Sequence, residues 1–472
     1  MATGSASPPS IVWFKRDLRL ADNPALAKAV QSGAPLCLVY IHSNDPEDRL
    51  TPGGASEWWL HQSLKALDQS VRELGGQLHL RAGDAAKILP ELCEQLGAKS
   101  VYWNQSSLPW VDKRDQTLGR DLIDRGIEPR VFRSTVMLDH ASIRNKTGGP
   151  FKVFSAFWRT ASALCSMLRA HAAPTQLNCV SPTASDRLEA WKLEPTHPNW
   201  AARFPEFWTP GERGARQRLE QFIDSILEGY KANRDRPDMD GTSRLSPHLA
   251  FGEISPRQIW LALDSAAEVG GPIGDIEKFR AEIGWREFAY YLFEHFGDLR
   301  ERSFNPVFNA FPWRQDADHF DRWKRGMTGI PMVDAGMRQL WTSGWIHNRV
   351  RMNTASYLVK HLGLHWQEGM RWFEDTLVDA DPVVNAASWQ WVAGSGADAA
   401  PYFRIFNPVT QGQKFDPDGH YVREWVPEAA HRSNRTLHDP ISLPGYPAPP
   451  VDLKKGREAA LAAYANMKDA AD

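Results

Sequence analysis

Four short sets of residues combine chemical capability with regular spacing. Glu282, Trp285 and Arg286 fall at i, i+3 and i+4, so a helix would present them on one face. A carboxylate beside an indole suits the edge and face of a flat heterocycle. A Glu282–Arg286 ion pair is the plainer account; it covers the charges and leaves the tryptophan over. Asn348, Arg351 and Met352 repeat the spacing after Trp345 and His347. Asparagine can bond both edges of an amide-like ring, and methionine offers it a soft surface. Asp379-Ala380-Asp381-Pro382 opens a third set. Asp381 reads as the cap of a helix entered through Pro382, with Asn385 and Trp389 four apart on it and Trp391 following. Gly394-Ser395-Gly396 should end that helix. Carboxylates at its start suit ribose hydroxyls or a partner such as Arg351; capping alone explains Asp381 but not Asp379. The fourth set is Thr242-Ser243-Arg244-Leu245-Ser246-Pro247. Its hydroxyls and guanidinium at a helix start suit phosphate oxygens, and it also reads as an ordinary cap.

These sets need elements to hold them. Apolar runs at 11–14 and 35–41 read as buried strands, with further strands at 78–81, 100–103 and 130–133. Helix-like stretches at 24–31, 56–74, 84–96 and 112–125 alternate with them. The expected fold is an α/β N-terminal domain over 1–135, built on a doubly wound, Rossmann-like parallel sheet. No G-x-G-x-x-G follows the first strand, so the usual dinucleotide fingerprint is absent. Lys15-Arg16-Asp17-Leu18-Arg19 stands there instead, and Asp22 or Asn23 can cap a helix entered through Pro24. Residues 136–210 read as an irregular, proline-rich surface linker with one helix near 153–171. From 211 to 472 strand signals nearly vanish, predicting a large all-α domain.

Composition limits the function classes. Of 472 residues, 42% are apolar and 24% charged, which excludes a disordered or fibrous chain. The 55 Lys and Arg against 57 Asp and Glu give a net charge of −2, so any nucleic-acid surface must be local. The span 340–364 carries Arg349, Arg351 and Lys360 without an acid; a basic face and a solvated helix face both fit. Cys37, Cys93, Cys165 and Cys179 form no C-x-x-C pair, which argues against disulfide scaffold, zinc finger and iron–sulfur cluster. No metal site is expected. No apolar run approaches a membrane span, and MATGSASPPS does not read as a secretory signal, so the expected setting is cytoplasmic. The chain has 20 tryptophans where average usage would give about six. That excess fits stacking surfaces for bases or an aromatic cofactor, or a tryptophan-rich core.

Taken together, the strings WFKRDLRLADNPAL, GTSRLSPHLAFGEISPRQ, WREF, GIPMVDAGMRQLWTSGWIHNRVRM and DADPVVNAASWQWVAGSGADAAPYFRIFNPVTQGQKFDPDG resemble the photolyase/cryptochrome family over nearly the whole chain. The resemblance implies that 211–472 is a helical FAD- and DNA-binding catalytic domain. Tyr230, Thr242, Ser243, Arg244, Leu245, Ser246, Arg286, Asn348, Arg351, Asp379, Asp381 and Asn385 would bind FAD, with Arg351 paired to Asp379 and Asn385 at flavin N5. It implies damaged DNA as the partner, and repair of cyclobutane pyrimidine dimers as the activity. Glu282, Trp285, Met352 and Trp391, with Asn348, would meet a flipped dimer, and Arg234, Arg349 and Arg404 would contact the DNA backbone. Trp389, Trp366 and Trp313 would relay electrons to oxidised flavin. No protein partner is implied, and a monomer is expected.

Two departures from the family pattern bear on an antenna pigment. Leu108 stands where the folate-binding pattern has Glu, and Arg300-Glu301 where it has Cys-Lys. A differently bound folate, a deazaflavin or no antenna remain open. The alternative function is a cryptochrome-type blue-light receptor without repair. Asn385, Met352, Trp391 and the short tail favour repair.

Overall fold

The computed structural model describes residues 7–43, 53–399, 403–441, 443 and 445–470. The first six residues of MATGSASPPS and Ala400-Pro401-Tyr402 of the longest motif lie outside these. Five strands, β1 (Ser10–Phe14), β2 (Leu36–His42), β3 (Leu78–Ala82), β4 (Ser100–Asn104) and β5 (Glu128–Phe132), form one parallel sheet in the order β3-β2-β1-β4-β5. Between them run α1 (Pro24–Gln31), α2 (Gly54–Glu73), α3 (Ala85–Leu96) and α4 (Pro109–Asp124). β1 and β2 are buried along their whole length, as strands covered on both faces must be. Alternate residues supply the two cores. Val12, Phe14, Leu38 and Tyr40 pack with α1 and α2, whereas Ile11, Trp13, Cys37 and Val39 pack with α3 and α4. The doubly wound expectation holds. Asn23, rather than Asp22, caps α1 by accepting from Leu26 N at 3.1 Å.

The helical part comprises α5 (Phe154–Leu164), α6 (Glu212–Ser225), α7 (Tyr230–Asn233), α8 (Ser246–Ala250), α9 (Pro256–Glu268), α10 (Ile273–Phe296), α11 (Ala317–Lys324), α12 (Pro331–Ser343), α13 (Asn348–Ser356), α14 (Trp366–Thr376), α15 (Pro382–Ala393), α16 (Pro408–Phe415), α17 (His420–Trp425) and α18 (Leu453–Asp469). Local chemistry sets many ends. Ser255 and Gln258 form a capping box on α9. Asp381 caps α15, Pro382 opens it, and left-handed Gly394 closes it.

The stretch 136–210 is irregular but not superficial. Val136, Met137, Leu138, Ile143, Phe157 and Cys165 enter the core of the helical part. Leu177, Leu188, Leu193, Phe204 and Trp208 cover the α/β part. Its apolar side chains are too numerous to leave in water, so each half of the segment adds to the core it borders. Its one α-helix is α5, followed by a 3-10 turn at Cys165–Met167.

The segment after β1 joins the two parts. Leu18 N donates to Phe251 O at 3.2 Å, and Arg19 Nη1 to Gly252 O at 2.8 Å. Gly252 is required there: its φ is +65°, and a Cβ would fall 2.1 Å from Arg16 O. Arg16 donates from Nε to Ala250 O (2.7 Å) and from Nη2 to Ala380 O (3.3 Å). The string that replaces a dinucleotide fingerprint thus clamps the sheet to the helical part. Among the described residues no helix is long and apolar enough to cross a membrane.

Candidate functional site

A cavity of about 630 Å³ opens among α7, α8, α10, α13, α14 and α15. It brings together most of the residues singled out in the sequence. Glu282, Trp285, Asn348, Met352 and Trp391 line it, as do Tyr230, Thr242, Ser243, Arg244, Ser246, Arg286, Arg351, Asp379, Asp381, Asn385 and Trp389. Arg234 and Arg349 reach the same space. Leu245 does not: its side chain is buried in the apolar core.

The two carboxylates at the α15 start, Asp379 and Asp381, do different work here. Asp381 Oδ1 accepts from Val383 N and Val384 N, and Oδ2 accepts from Tyr290 OH at 2.6 Å. Burial, reinforced by that carboxylate, pushes the Tyr290 hydroxyl well above its usual pKa, so it stays a donor. Asp379 Oδ2 accepts from Arg351 Nη2 at 2.7 Å, and Arg351 Nε donates to Ile346 O. Asp379 Oδ1 is buried without a protein partner. A buried carboxylate oxygen left open at a cavity wall calls for a donor from whatever fills the cavity.

Glu282 and Arg286 share a face of α10, yet they do not pair. Glu282 is held by Arg234 and by Lys278, one turn earlier. Arg286 Nη1 donates to Thr135 O at 2.9 Å, and its guanidinium lies 4.7 Å from the centre of the Tyr290 ring. Trp285, 37% exposed, stacks on Phe154 with ring centres 3.8 Å apart and planes at 10°. Arg349 pairs with Asp235, and Arg404 lies over the Trp391 ring at 5.3 Å. Asn385 donates to Met370 O at 3.0 Å and also bonds Glu374, whose carboxyl burial pushes up. Asn348 and Met352 meet one turn apart, at 3.9 Å.

The 340–364 span is neither a basic face nor a solvated one. Arg349 and Arg351 are ion-paired, and Lys360 is buried in a π-helical turn at Tyr357–His361. Its ammonium donates to Ala393 O at 2.5 Å, at the carboxyl end of α15, where the helix dipole favours a cation. Burial nonetheless drives its pKa well down.

Trp389 and Trp366 are buried, and Trp313 is half-buried. Gly369, on α14 one turn after Trp366, leaves room for the Trp389 ring; a Cβ there would fall 2.1 Å from it. His365 bridges the outer pair, with ring centres 5.8 Å from Trp366 and 5.1 Å from Trp313. Leu108, where the folate-binding pattern has Glu, stands at the N-cap of α4, and Arg300 lies 3.5 Å from the centre of the Trp110 ring.

Sequence reading missed Tyr290, Phe154 and Arg16. Tyr290 had a signal, since it stands four residues after Arg286 on the same face. Phe154 and Arg16 reach the site from remote segments, with no local signal.

Residues 10–178 match the family described as DNA photolyase, and 279–466 match the FAD binding domain of DNA photolyase. A deoxyribodipyrimidine photo-lyase of Agrobacterium fabrum is 48% identical over 98% of both chains. Cryptochrome-1 of Arabidopsis thaliana is 35% identical over 95% of this chain and 69% of its own. The crystal structure of a bacterial class III photolyase from Agrobacterium tumefaciens superposes with a TM-score of 0.96 at 47% identity, covering 99% of each chain. An FAD-binding domain therefore supplies much of the cavity wall, from Phe279 to Ala397. Its features fit the flavin: the volume lies in the range of cofactor sites, and Asp379 Oδ1 awaits a donor. The chain belongs to the photolyase/cryptochrome family.

Proposed function

We propose that this chain is a light-dependent deoxyribodipyrimidine lyase that reverses cyclobutane pyrimidine dimers in DNA. The observation that carries the reading is the cavity mouth, where Trp285, Trp391, Glu282 and Met352 line one space that continues to Asp379 and Asn385. A stacked pair of linked pyrimidines needs flat apolar walls and one acceptor for a ring N–H. The two indoles supply walls, worth roughly 1–3 kcal/mol per stacked base. That offsets the few kcal/mol needed to extrude a poorly stacked lesion from the duplex. Glu282, ion-paired with Arg234 and Lys278, accepts from the ring N–H and holds the pyrimidine carbonyls near those two cations. Such fixed charges act where negative charge grows on the dimer.

Reduced FAD held by these residues would supply light-driven electron donation to the cyclobutane ring and recovery of that electron once the ring has opened. Arg351 and Asp379 hold the inner end of the site, and Asn385 presents a neutral amide that offers no acidic proton. Thr242, Ser243 and Ser246 donate to phosphate oxygens. Arg234, Arg349 and Arg404 meet the DNA backbone, so binding weakens with salt. Trp389, Trp366 and Trp313 would relay electrons inward to flavin bound in the oxidised form.

The test is blue-light reversal of thymine dimers in a short oligonucleotide by pre-reduced holoprotein. Thymine absorbance should recover in the light and not in the dark. No recovery with flavin shown to be bound and reduced would overturn the reading in favour of a blue-light receptor or another lesion. Glu282→Ala should lower the repair yield while FAD stays bound; an unchanged yield would remove Glu282 from the pocket.

A further inference from the structure

α5 starts without a local cap. Val153 stands at its N-cap and offers no side-chain acceptor. The first helical N–H, that of Phe154, instead donates to Asp398 Oδ2 at 3.3 Å, from the loop that follows α15. Asp398 takes a left-handed backbone, φ +57°, which non-glycine residues adopt rarely and Asp and Asn most readily. The same loop contributes Gly396 and Ala397 to the cavity wall, next to Trp391. Gly396 N donates to Gln390 O at 2.9 Å, tying the loop to α15.

Phe154 backs the part of the cavity wall that carries Trp285. Its ring covers one face of Trp285 at 3.8 Å and stacks on Trp158 at 6.1 Å, with planes within 11°. Trp158 is seated on α10 at Gly284, where a Cβ would fall 2.5 Å from its ring. One carboxylate therefore joins the wall that carries Trp391 to the stack that carries Trp285. We propose that Asp398 is a positioning residue for dimer recognition: by capping α5 from the α15 loop it fixes Phe154 beneath Trp285 and holds the two tryptophan-bearing walls in register. This rests on the dimer-repair reading of the cavity.

The experiment compares Asp398→Gly, Asp398→Asn and Phe154→Leu as flavin-loaded proteins. Glycine accepts the left-handed backbone but removes the acceptor, whereas asparagine keeps both. Asp398→Gly and Phe154→Leu should each raise Kd and KM for dimer-containing oligonucleotide about three- to ten-fold, a range consistent with losing a helix cap. For Asp398→Gly, affinity for undamaged DNA, kcat at saturation and the flavin spectrum should not move. Asp398→Asn should restore wild-type affinity. In a Trp285→Ala background Asp398→Gly should add nothing. The proposal is overturned if Asp398→Gly binds dimers like wild type, if Asp398→Asn fails as badly as Asp398→Gly, or if the Trp285→Ala background leaves the full effect. Wild-type protein without any preference for dimer DNA would overturn both this proposal and the repair reading.

Discussion

Arg351 and Asp379 show how much one contact can decide. The Asp379 side chain is 2% exposed and that of Arg351 25%, so the pair sits at the cavity wall with only its cation reached by water. Arg351→Met would keep most of the packing volume and leave a buried carboxylate alone. The expected loss is about 1–3 kcal/mol, less than for a fully buried pair because Arg351 is partly solvated. A urea midpoint equal to wild type would refute it, and the FAD retained on purification should fall in parallel. A different residue-scale effect concerns His361. Burial lowers its pKa to about 4, from about 6.5 in an unfolded chain, and Nδ1 has no partner. Between those values the unfolded chain binds a proton that the folded chain refuses. The stabilisation is fully present above pH 6.5 and is lost as pH falls toward 4, amounting to about 2 kcal/mol by pH 5. His361→Gln should therefore flatten the decline of the urea midpoint between pH 7 and pH 5, whatever its effect at pH 7. An unchanged slope would show that His361 does not carry that term.

Elements were legible where their ends are set locally. Pro24, Pro382 and Gly394 fix boundaries through their own backbone preferences, and Asn23 and Asp381 through short-range caps, so α1 and α15 could be placed from the sequence. The residues on one helical face were legible for the same reason, which is why Glu282 and Trp285, or Asn348 and Met352, reach one cavity. Contacts between elements were not legible. Nothing near Glu282 says that Arg234 holds it instead of Arg286, and nothing near Lys360 says that its run of helix buries it against Ala393 O. The α14–α15 contact gives a direct test. Gly369→Ala places a methyl group 2.1 Å from where Trp389 Cη2 lies, so the ring or the helix must shift. The expected cost is roughly 1–3 kcal/mol. Photoreduction of oxidised FAD should slow, since Trp389 lines the cavity and is the inner member of the proposed relay, whereas repair by pre-reduced protein should persist. Trp366→Phe should give the same kinetic split with less loss of stability. If either variant lost repair by pre-reduced protein in proportion to photoreduction, the indole would be structural and not part of a relay.

At the scale of the whole molecule, the sheet and the helical part are not independent bodies joined by a tether. Arg16 follows the end of β1 and ends on two carbonyls of the helical part, Ala250 O at the last residue of α8 and Ala380 O between Asp379 and Asp381. The alternation of strands and helices announced the sheet, but this clamp required knowing which surface faces it, and a single sequence does not carry that. The consequence is that the α/β part should help to hold the flavin without touching it. Arg16→Ala strands both carbonyls in a partly buried interface, a loss of about 1–3 kcal/mol if neither finds water. Heating followed by calorimetry and flavin fluorescence together should show FAD released earlier, with the helical transition shifting along with it. Arg16→Lys, able to reach only one carbonyl at a time, should fall between the two. Release at the wild-type temperature in Arg16→Ala would mean that the Asp379–Asp381 turn is held by α15 and Arg351 alone, and that the two parts are coupled through their other contacts, Leu18 N to Phe251 O, Arg19 to Gly252 O and the apolar packing around Phe251 and Trp345.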